Sequence, residues 1–315
     1  MIAVKSKSLA RLLARCISTF LSASVCVGAI AEVASPVLAI NDATAKSAVT
    51  VRALRGSVSV LEGAGGNIGV LSTQQGQLLV DAGIAVARPR IEAALKGLGG
   101  GAPKWLINTH WHWDHTDGNP WVAELGATIV SHERTRMYLA KRTNVIEWGY
   151  SFPALPETGL PKVVFQTSKT MEFGGETIHL KHFGTGHTDG DAIVHFVNAD
   201  VLFMGDIWWN GHYPFIDYGA GGDIDGMIRW TREALAIAGP KTLIVPGHGP
   251  AGGRAQLAEY LDMLIDVRTR VARLKGEGKS LAQVLESQPT QRYDAKWGAF
   301  VLSPYFFTQL VYMGV

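Results

Sequence analysis

One short stretch of this chain concentrates metal-binding side chains more than any other. It holds His110, His112, Asp114 and His115 within six residues, directly after the apolar run Trp105 to Asn108. In an extended segment, residues i and i+2 point to the same side, so His110 and His112 can bind one ion while Asp114 and His115 turn toward a second. With only 10 His in 315 residues, such a cluster arises by chance on the order of once in a few thousand sequences. The fold must therefore hold a loop for two metals at the end of a strand.

Short apolar runs separated by glycine-rich turns predict strands in both halves of the chain. We expect strands at 58–61, 68–72, 78–81, 105–108, 127–130, 177–183, 192–197, 201–204 and 242–245. Helical periodicity covers 89–98, 120–125, 226–238 and long stretches from 254 onward. Strands and helices alternate in both halves of the chain. This alternation predicts an α/β fold, arranged as a layered sandwich of the α+β type. The segment 144–161, rich in proline and aromatic residues, is expected to be a long loop near the site.

The amino terminus has the pattern of a secretory signal peptide. Four basic residues between Lys5 and Arg15 precede 16–31, sixteen residues without a charge. Small residues allow cleavage after Ala31 or as late as Ala39. The alternative is an anchor helix, but sixteen residues fall short of the roughly 20 needed to cross a bilayer. We therefore expect a periplasmic or secreted protein with no stable membrane span.

The predicted domain organisation follows from these boundaries. We expect a signal peptide at 1–31, a linker at 32–50, one metal-binding domain at 51–253 and a helical extension of the same domain at 254–315. The chain is 47% hydrophobic and 18% charged, which supplies a large core and excludes intrinsic disorder.

Charge and cysteine content narrow the function. The 29 basic and 27 acidic residues leave a net charge of +2, and removing 1–31 takes away four positive charges and no negative ones. A mature chain with a charge of −2 lacks the basic character of a nucleic-acid binder, so we expect a small-molecule substrate. Both cysteines, Cys16 and Cys26, lie in the signal segment. The mature chain can form no disulfide and offers no thiolate ligand.

Three further motifs fall at the ends of predicted strands, where α/β folds gather their functional residues. They are Gly186-His187-Thr188-Asp189-Gly190-Asp191, Gly205-Asp206 and Pro246-Gly247-His248-Gly249. Each alone is more often a turn than a site. Together with the first cluster they complete a set of metal ligands.

These motifs resemble those of the metallo-β-lactamase superfamily, from about Val58 to Gly249. The resemblance implies an αββα sandwich with two metal ions at its edge, zinc being expected and iron or manganese being alternatives. It implies that one ion is held by His110, His112 and His187, the other by Asp114, His115 and His248, and that Asp206 bridges them. It also implies that Asp81, after the run 78–80, braces the site by orienting metal ligands.

The implied activity is metal-assisted hydrolysis. Two ions about 3.5 to 4 Å apart would share a hydroxide whose pKa is lowered toward roughly 7. That hydroxide would attack a small ester, lactone, β-lactam or organophosphate. Asp114 is the expected catalytic residue, orienting the nucleophile or moving its proton as well as binding metal.

Other branches of the superfamily fit the ligand types less well or remain open. One branch of β-lactamases has Cys at the position of Asp206, and flavodiiron proteins have Glu at the position of His112. Glyoxalase II usually has Gly-Gly after its cluster, where this chain has Thr116-Asp117-Gly118-Asn119, which argues against a glutathione thioester. An iron-dependent sulfur dioxygenase uses a similar ligand set, and metal identity and oxygen consumption would separate it from a hydrolase. A non-catalytic metal-binding protein is a third class, disfavoured by seven intact ligands.

Aromatic residues near the motifs suggest an apolar substrate wall. The set is Trp111, Trp113, Trp208, Trp209, His212, Tyr213, Phe215 and Tyr218. Among them Trp111, Trp208, His212 and Tyr213 are the predicted substrate-binding residues, and the polar tips of His212 and Tyr213 could donate to an oxyanion. His132, His179, His182 and His195 are expected to be structural or surface residues.

Overall fold

A computed structural model describes residues 35–63 and 65–315 of the chain. The predicted signal peptide at 1–31 lies outside the described residues. Within them the chain folds into two main β-sheets that face each other, covered on both outer sides by helices.

The first sheet contains seven strands in the order β1-β2-β3-β4-β5-β6-β9. Their bounds are β1 Thr50–Arg55, β2 Val58–Glu62, β3 Ile68–Thr73, β4 Gly76–Val80, β5 Pro103–Ile107, β6 Thr128–His132 and β9 Val163–Phe165. The strands β1 to β4 form an antiparallel meander, and β4, β5, β6 and β9 pair in parallel. The carboxyl ends of β4 and β5 therefore meet at the same edge.

The second sheet contains five strands in the order β10-β11-β12-β13-β14. Their bounds are β10 Ser168–Phe173, β11 Glu176–Lys181, β12 Ile193–Phe196, β13 Val201–Phe203 and β14 Leu243–Val245. The pairing is antiparallel except between β13 and β14, which are parallel. A separate hairpin joins β7 Thr143–Val145 to β8 Tyr150–Phe152.

The core between the sheets follows from side-chain alternation along the strands. In β4, Leu78 and Val80 face the second sheet while Leu79 faces the outer helices. In β13, Val201 and Phe203 point between the sheets. Because both faces of these strands are covered, both alternating sets are apolar, which explains the continuous hydrophobic runs in the sequence.

Helices form the two outer layers. Their bounds are α1 Pro36–Lys46, α2 Arg88–Leu98, α3 Trp113–Thr116, α4 Asn119–Glu124, α5 Glu133–Leu139, α6 Ile224–Ile237, α7 Arg254–Gly276, α8 Leu281–Glu286, α9 Gln291–Trp297 and α10 Pro304–Gly314. The helices α2 and α4 cover the first sheet, and α6, α7 and α10 share a core with the outer face of the second. The predicted αββα sandwich with C-terminal helices is confirmed.

The structure departs from the sequence prediction in segments whose partners are distant in the chain. The expected linker 32–50 contains helix α1, which begins with Ser35 as its N-cap and Pro36 at its first position and buries Val37. The expected loop 144–161 contains the β7–β8 hairpin. Strand β10 was not predicted, because polar residues alternate along it and one face is exposed.

The C-terminal helices belong to the same core as the second sheet. Leu257 and Val267 of α7 and Leu310 of α10 are buried in one apolar cluster with Trp230 of α6. No helix within residues 35–63 and 65–315 is long and apolar enough to cross a membrane.

Candidate metal centre

Seven histidine and aspartate side chains predicted as ligands come together at one edge of the sandwich. They follow strand ends of both sheets: His110 and His112 follow β5, Asp114 and His115 lie in α3, His187 follows β11, Asp206 follows β13 and His248 follows β14. They form two neighbouring groups of buried ligand atoms, each group within 4.8 Å. The structure therefore assembles the complete set that the sequence motifs predicted.

The first group contains His110, His112 and His187, whose ring centroids lie 4.6 to 4.9 Å apart. His112 Nε2 donates to Asp217 Oδ2 at 2.9 Å, and His187 Nδ1 donates to the carbonyl oxygen of Phe215 at 2.9 Å. These bonds leave the opposite ring nitrogens, His112 Nδ1 and His187 Nε2, facing each other at 2.8 Å.

That contact tests whether a metal ion fits. In neutral rings both facing nitrogens carry lone pairs, so they repel each other unless a cation lies beside them. Burial, followed by the neighbouring His112, lowers the pKa of His187 to about 4. His187 is therefore neutral at pH 7 and offers its lone pair, as a metal ligand must. His110 Nε2 is also buried without a hydrogen-bond partner.

The second group contains Asp114, His115 and His248. His248 Nε2 lies 3.1 Å from Asp114 Oδ2, and His115 Nε2 lies 3.7 Å from the same oxygen. His115 Nδ1 donates to Asp81 Oδ2 at 2.8 Å, so Nε2 is the atom left for an ion. One carboxylate and two imidazoles converging in this way are a donor set that suits zinc.

Asp206 lies between the two groups. Its Oδ1 is 3.0 Å from His115 Nε2 in the second group. Its Oδ2 is 3.7 Å from His110 Nε2 and 3.6 Å from His187 Nε2 in the first. One carboxylate thus faces both groups, as a bridging ligand would.

Asp81 supports candidate ligands of both groups through hydrogen bonds. Besides His115, it accepts hydrogen bonds from the backbone N–H of Thr109 at 2.8 Å and from Thr109 Oγ1 at 2.7 Å. Because that hydroxyl donates to Asp81, it accepts from His110 Nδ1 at 3.0 Å and leaves His110 Nε2 free to bind an ion. A single carboxylate therefore fixes the ring orientation of a ligand in each group.

The carboxylates and the second-group histidines have pKa values shifted by their mutual proximity. Burial raises the pKa of Asp206, but His248 and His115 outweigh it and hold that pKa well below the usual range. Burial opposes the charge on His248, but Asp206 and Asp114 raise its pKa to about 9. Asp114 likewise keeps a lowered pKa, because His115 and His248 outweigh its burial. Asp114 and Asp206 therefore stay ionised beside the imidazoles of the second group, whose protons a metal ion would displace on binding.

Two glycines allow the backbone to approach the ligands closely. A Cβ on Gly66 would lie 2.2 Å from the His115 ring, and one on Gly247 would lie 1.9 Å from Asp206 Oδ1. No side chain fits at these distances. The glycine of the Pro246–Gly249 motif is thus explained by contact with the neighbouring carboxylate.

A cavity of about 480 Å³ opens onto Asp114, Asp206 and His248. Of the four predicted substrate-binding residues, His212 lines it, stacked on Phe300 with a centroid distance of 4.3 Å. Burial lowers the pKa of His212 to about 4, so its ring is neutral at pH 7.

The other three predicted substrate-binding residues lie elsewhere. Trp208 is fully buried, and Trp111 packs against Tyr138 and Phe152 on the far side of the loop. The Tyr213 hydroxyl donates to Asp294 Oδ1 at 2.8 Å instead of reaching the cavity. These residues do not line the cavity because core contacts engage them.

Trp113 and Trp209 of the predicted aromatic set line the cavity, and other parts of its wall come from residues that the sequence analysis did not assign to the substrate. Trp148 lies at the tip of the β7–β8 hairpin, Phe300 follows α9, and α1 contributes Ile40 and Ala43. Asp217, which orients His112, was also missed. Asp217 lies 105 residues from His112 in the sequence, so no local sequence pattern connects the two. It does follow the Gly205-Asp206 motif closely in the sequence.

Comparison with known proteins gives a family. Residues 61–248 match the profile described as the metallo-beta-lactamase superfamily. A hydroxyacylglutathione hydrolase of Jannaschia sp. is 26% identical over 223 residues, which are 65% of this chain and 74% of that protein. A metallo-beta-lactamase type 2 of Bacillus cereus is 26% identical over 197 residues, 62% of this chain and 71% of that protein.

Solved structures share the fold. A metallo-beta-lactamase from Pontibacter korlensis has a TM-score of 0.55 at 22% identity and covers 69% of this chain and 99% of its own. A sec-alkylsulfatase from Pseudomonas sp. has a TM-score of 0.63 at 12% identity, covering 84% of this chain and 50% of its own. The matched segment contains all seven converging ligands, and the chain belongs to the metallo-beta-lactamase superfamily as a metal-dependent hydrolase.

Proposed function

We propose that this chain is an exported hydrolase with two zinc ions, acting on a small ester, lactone, β-lactam or related bond. The observation that carries the proposal is the convergence of ring nitrogens whose other nitrogen already donates a hydrogen bond, as at His112 and His187. Lone pairs arranged in this way, beside the carboxylate of Asp206, are a donor set that metal ions bind.

Different residues would have different roles in the proposed hydrolysis. When bound, two zinc ions would supply Lewis-acid polarisation and a lowered pKa of water. Asp206 and the histidines would hold them, while Asp81 and Asp217 keep the rings in place. Asp114 lines the cavity and remains a carboxylate because its pKa is lowered. It is placed to orient a water molecule and accept its proton.

The test is metal stoichiometry together with a hydrolysis screen on the purified, zinc-loaded protein. We expect about two ions per chain, one for each ligand group, and turnover of at least one ester, lactone or β-lactam. One tightly bound iron, oxygen consumption and no hydrolysis would instead identify the sulfur dioxygenase.

Thioester hydrolysis is a second candidate, favoured by the similarity to the Jannaschia hydroxyacylglutathione hydrolase. A glutathione thioester and a simple alkyl thioester belong in the same screen. Turnover of the first alone would identify the glyoxalase II type of activity.

Export is proposed from the sequence pattern at 1–31, and α1 favours one of its two cleavage sites. Cleavage after Ala39 would remove the N-cap Ser35 and the buried Val37, whereas cleavage after Ala31 leaves the helix complete. We expect the protein isolated from its host to begin near Glu32. A chain that begins at Ile40, or an intact Met1 in a membrane fraction, would contradict this processing.

A further inference from the structure

The cavity over the metal centre has an unusual charge balance. Away from the metal-ligand candidates Asp114, Asp206 and His248, its only charged lining residue is Glu62, and neither lysine nor arginine lines it among the residues that the structure describes. The nearby Arg52 is engaged by Glu62 at 3.0 Å. Arg90 donates to the carbonyl oxygen of Thr44 at 2.8 Å from the far side of α1.

The rest of the wall is largely aromatic and aliphatic, and its polar side chains are Thr44, Ser47, Asn67 and His212. Trp113 and Trp148 meet edge to face at a centroid distance of 4.9 Å, and Trp209 lies 4.4 Å from the His248 ring. On the opposite side, Ile40 and Ala43 of α1 close the cavity. Rings in these orientations offer flat apolar surfaces to a substrate and no group that would pair with a carboxylate.

Hydrogen bonds hold this wall in place. Trp113 Nε1 donates to Asn41 Oδ1 at 2.9 Å, and Ser35 Oγ donates to the carbonyl oxygen of Trp148 at 2.8 Å. Both bonds tie α1 to aromatic residues from other parts of the chain. The apolar lining is therefore a built feature of the fold, with α1 as one of its sides.

We propose that this wall selects uncharged aryl or alkyl groups, and discriminates against substrates that carry a carboxylate on the group that lies against it. The proposal rests on the hydrolase function and names its substrate class. An apolar acyl or alcohol group gains free energy by leaving water for the aromatic wall. A carboxylate placed against this wall, out of reach of the metal ions, loses its hydration without an ion pair, which is unfavourable. Neutral esters and lactones fit this description, and glutathione thioesters do not.

The first experiment compares phenyl butanoate with meta-carboxyphenyl butanoate, two esters with the same acyl group and similar leaving groups. With the zinc-loaded protein we expect kcat/KM to be at least about tenfold higher for the uncharged ester, equivalent to about 1.4 kcal/mol. Equal values, or a preference for the carboxylate, would overturn the proposal.

A matched pair of variants tests the cavity itself. Ala43 lines it, whereas Ala45 is exposed on the same helix and does not. We expect Ala43→Lys to lower KM for the carboxylate ester and to narrow the preference by about tenfold, and Ala45→Lys to leave both unchanged. Identical behaviour of the two variants would overturn the assignment of this cavity to the substrate.

A binding measurement separates this inference from the hydrolase function. N-phenylbutanamide and its meta-carboxylate are unreactive analogues whose binding to the metal-free protein can be followed by quenching of tryptophan fluorescence. If neither ester is hydrolysed but the uncharged amide still binds more tightly, the function fails and the selectivity stands. If both amides bind equally, the selectivity fails whatever the esterase activity.

Discussion

At the scale of single residues, the metal centre depends on carboxylates that face several imidazoles at once. Asp206 faces His115 with one oxygen and His110, His187 and His248 with the other. Asp81 supports one ligand of each group through His115 and Thr109. A change to either carboxylate should therefore affect both groups.

For Asp206→Asn we expect weaker binding of at least one ion, chiefly at the group of Asp114, His115 and His248. The amide has no charge and one acceptor oxygen, so it cannot balance two dications. Hydrolysis should fall by at least about 100-fold, since changes behind the ligands alone cost 10 to 100-fold. Metal analysis and turnover measure this, with circular dichroism as the check on folding. Two ions and unchanged turnover would remove Asp206 from the site.

Asp217→Asn tests a residue that the sequence did not reveal. The amide keeps the oxygen that accepts the backbone N–H of Ala220 at 2.9 Å but loses the charge that orients His112. We expect the metal affinity of the first group to fall by about 10 to 100-fold, measured by competition with a chelator. Asp225→Asn, which changes a surface pair with Arg268, should leave it unaltered. Equal affinities in both variants would show that Asp217 does not support His112.

At the scale of elements, the junction between β6 and α5 contains a histidine ring whose surroundings disfavour its protonation. His132 accepts the backbone N–H of Arg134 as the N-cap of α5 and donates to the carbonyl oxygen of Gln166 at 2.8 Å. Its ring stacks on His182 at 3.9 Å. Burial, followed by His182, lowers the pKa of His132 from 6.5 to about 4.

This lowered pKa predicts a pH dependence of stability. Between pH 6.5 and about 4 the unfolded chain binds a proton at His132 that the folded chain does not, so stability should fall as the pH falls through this window. His132→Asn retains a capping side chain and removes the titration. Urea unfolding of both metal-free proteins at several pH values should show a shallower decline in the variant. Identical slopes would exclude His132 as a source of the decline.

Helix α1 lies in the segment that the sequence analysis expected to be a linker. Ser35 and Pro36 form a standard helix start, yet the composition of the segment resembles a linker. Its place against Trp113 and Trp148 is decided by the contacts of Asn41 and Ser35 with residues far along the chain. The helix consequently forms one side of the cavity beside the candidate metal centre.

At the scale of the whole molecule, the metal centre joins the edges of the two sheets. His110, His112, Asp114 and His115 follow a strand of the first sheet, and Asp206 and His248 follow strands of the second. Bound ions would therefore connect the two halves of the sandwich.

Metal loading should accordingly stabilise the entire fold. Ligands that bind only the folded state add about 4.1 kcal/mol at a thousandfold excess over Kd, so we expect zinc to raise Tm by several degrees and a chelator to reverse the change. The rise should be smaller in Asp206→Asn. A Tm that zinc leaves unchanged in the wild-type protein would contradict a centre shared by the two sheets.

The sequence by itself predicted the candidate ligand side chains and the layers. The cluster from His110 to His115 and the motifs at His187, Asp206 and His248 are local patterns, and so are the continuous apolar runs of strands such as β4 and β13. Covering both faces of these strands leaves few architectures besides a layered sandwich.

The tertiary structure alone decided which ring nitrogens converge at the candidate metal centre and which aromatic residues line the cavity beside it. Asp217 reaches His112 across 105 residues, and Phe300 meets His212 from the C-terminal extension. Trp208 and Tyr213 stand beside the Asp206 motif in sequence, yet core contacts turn them away from the cavity. Position in the sequence determines only which strand or helix a residue belongs to or follows. Its side-chain direction and its partners depend on contacts between distant segments, which form only when the chain folds.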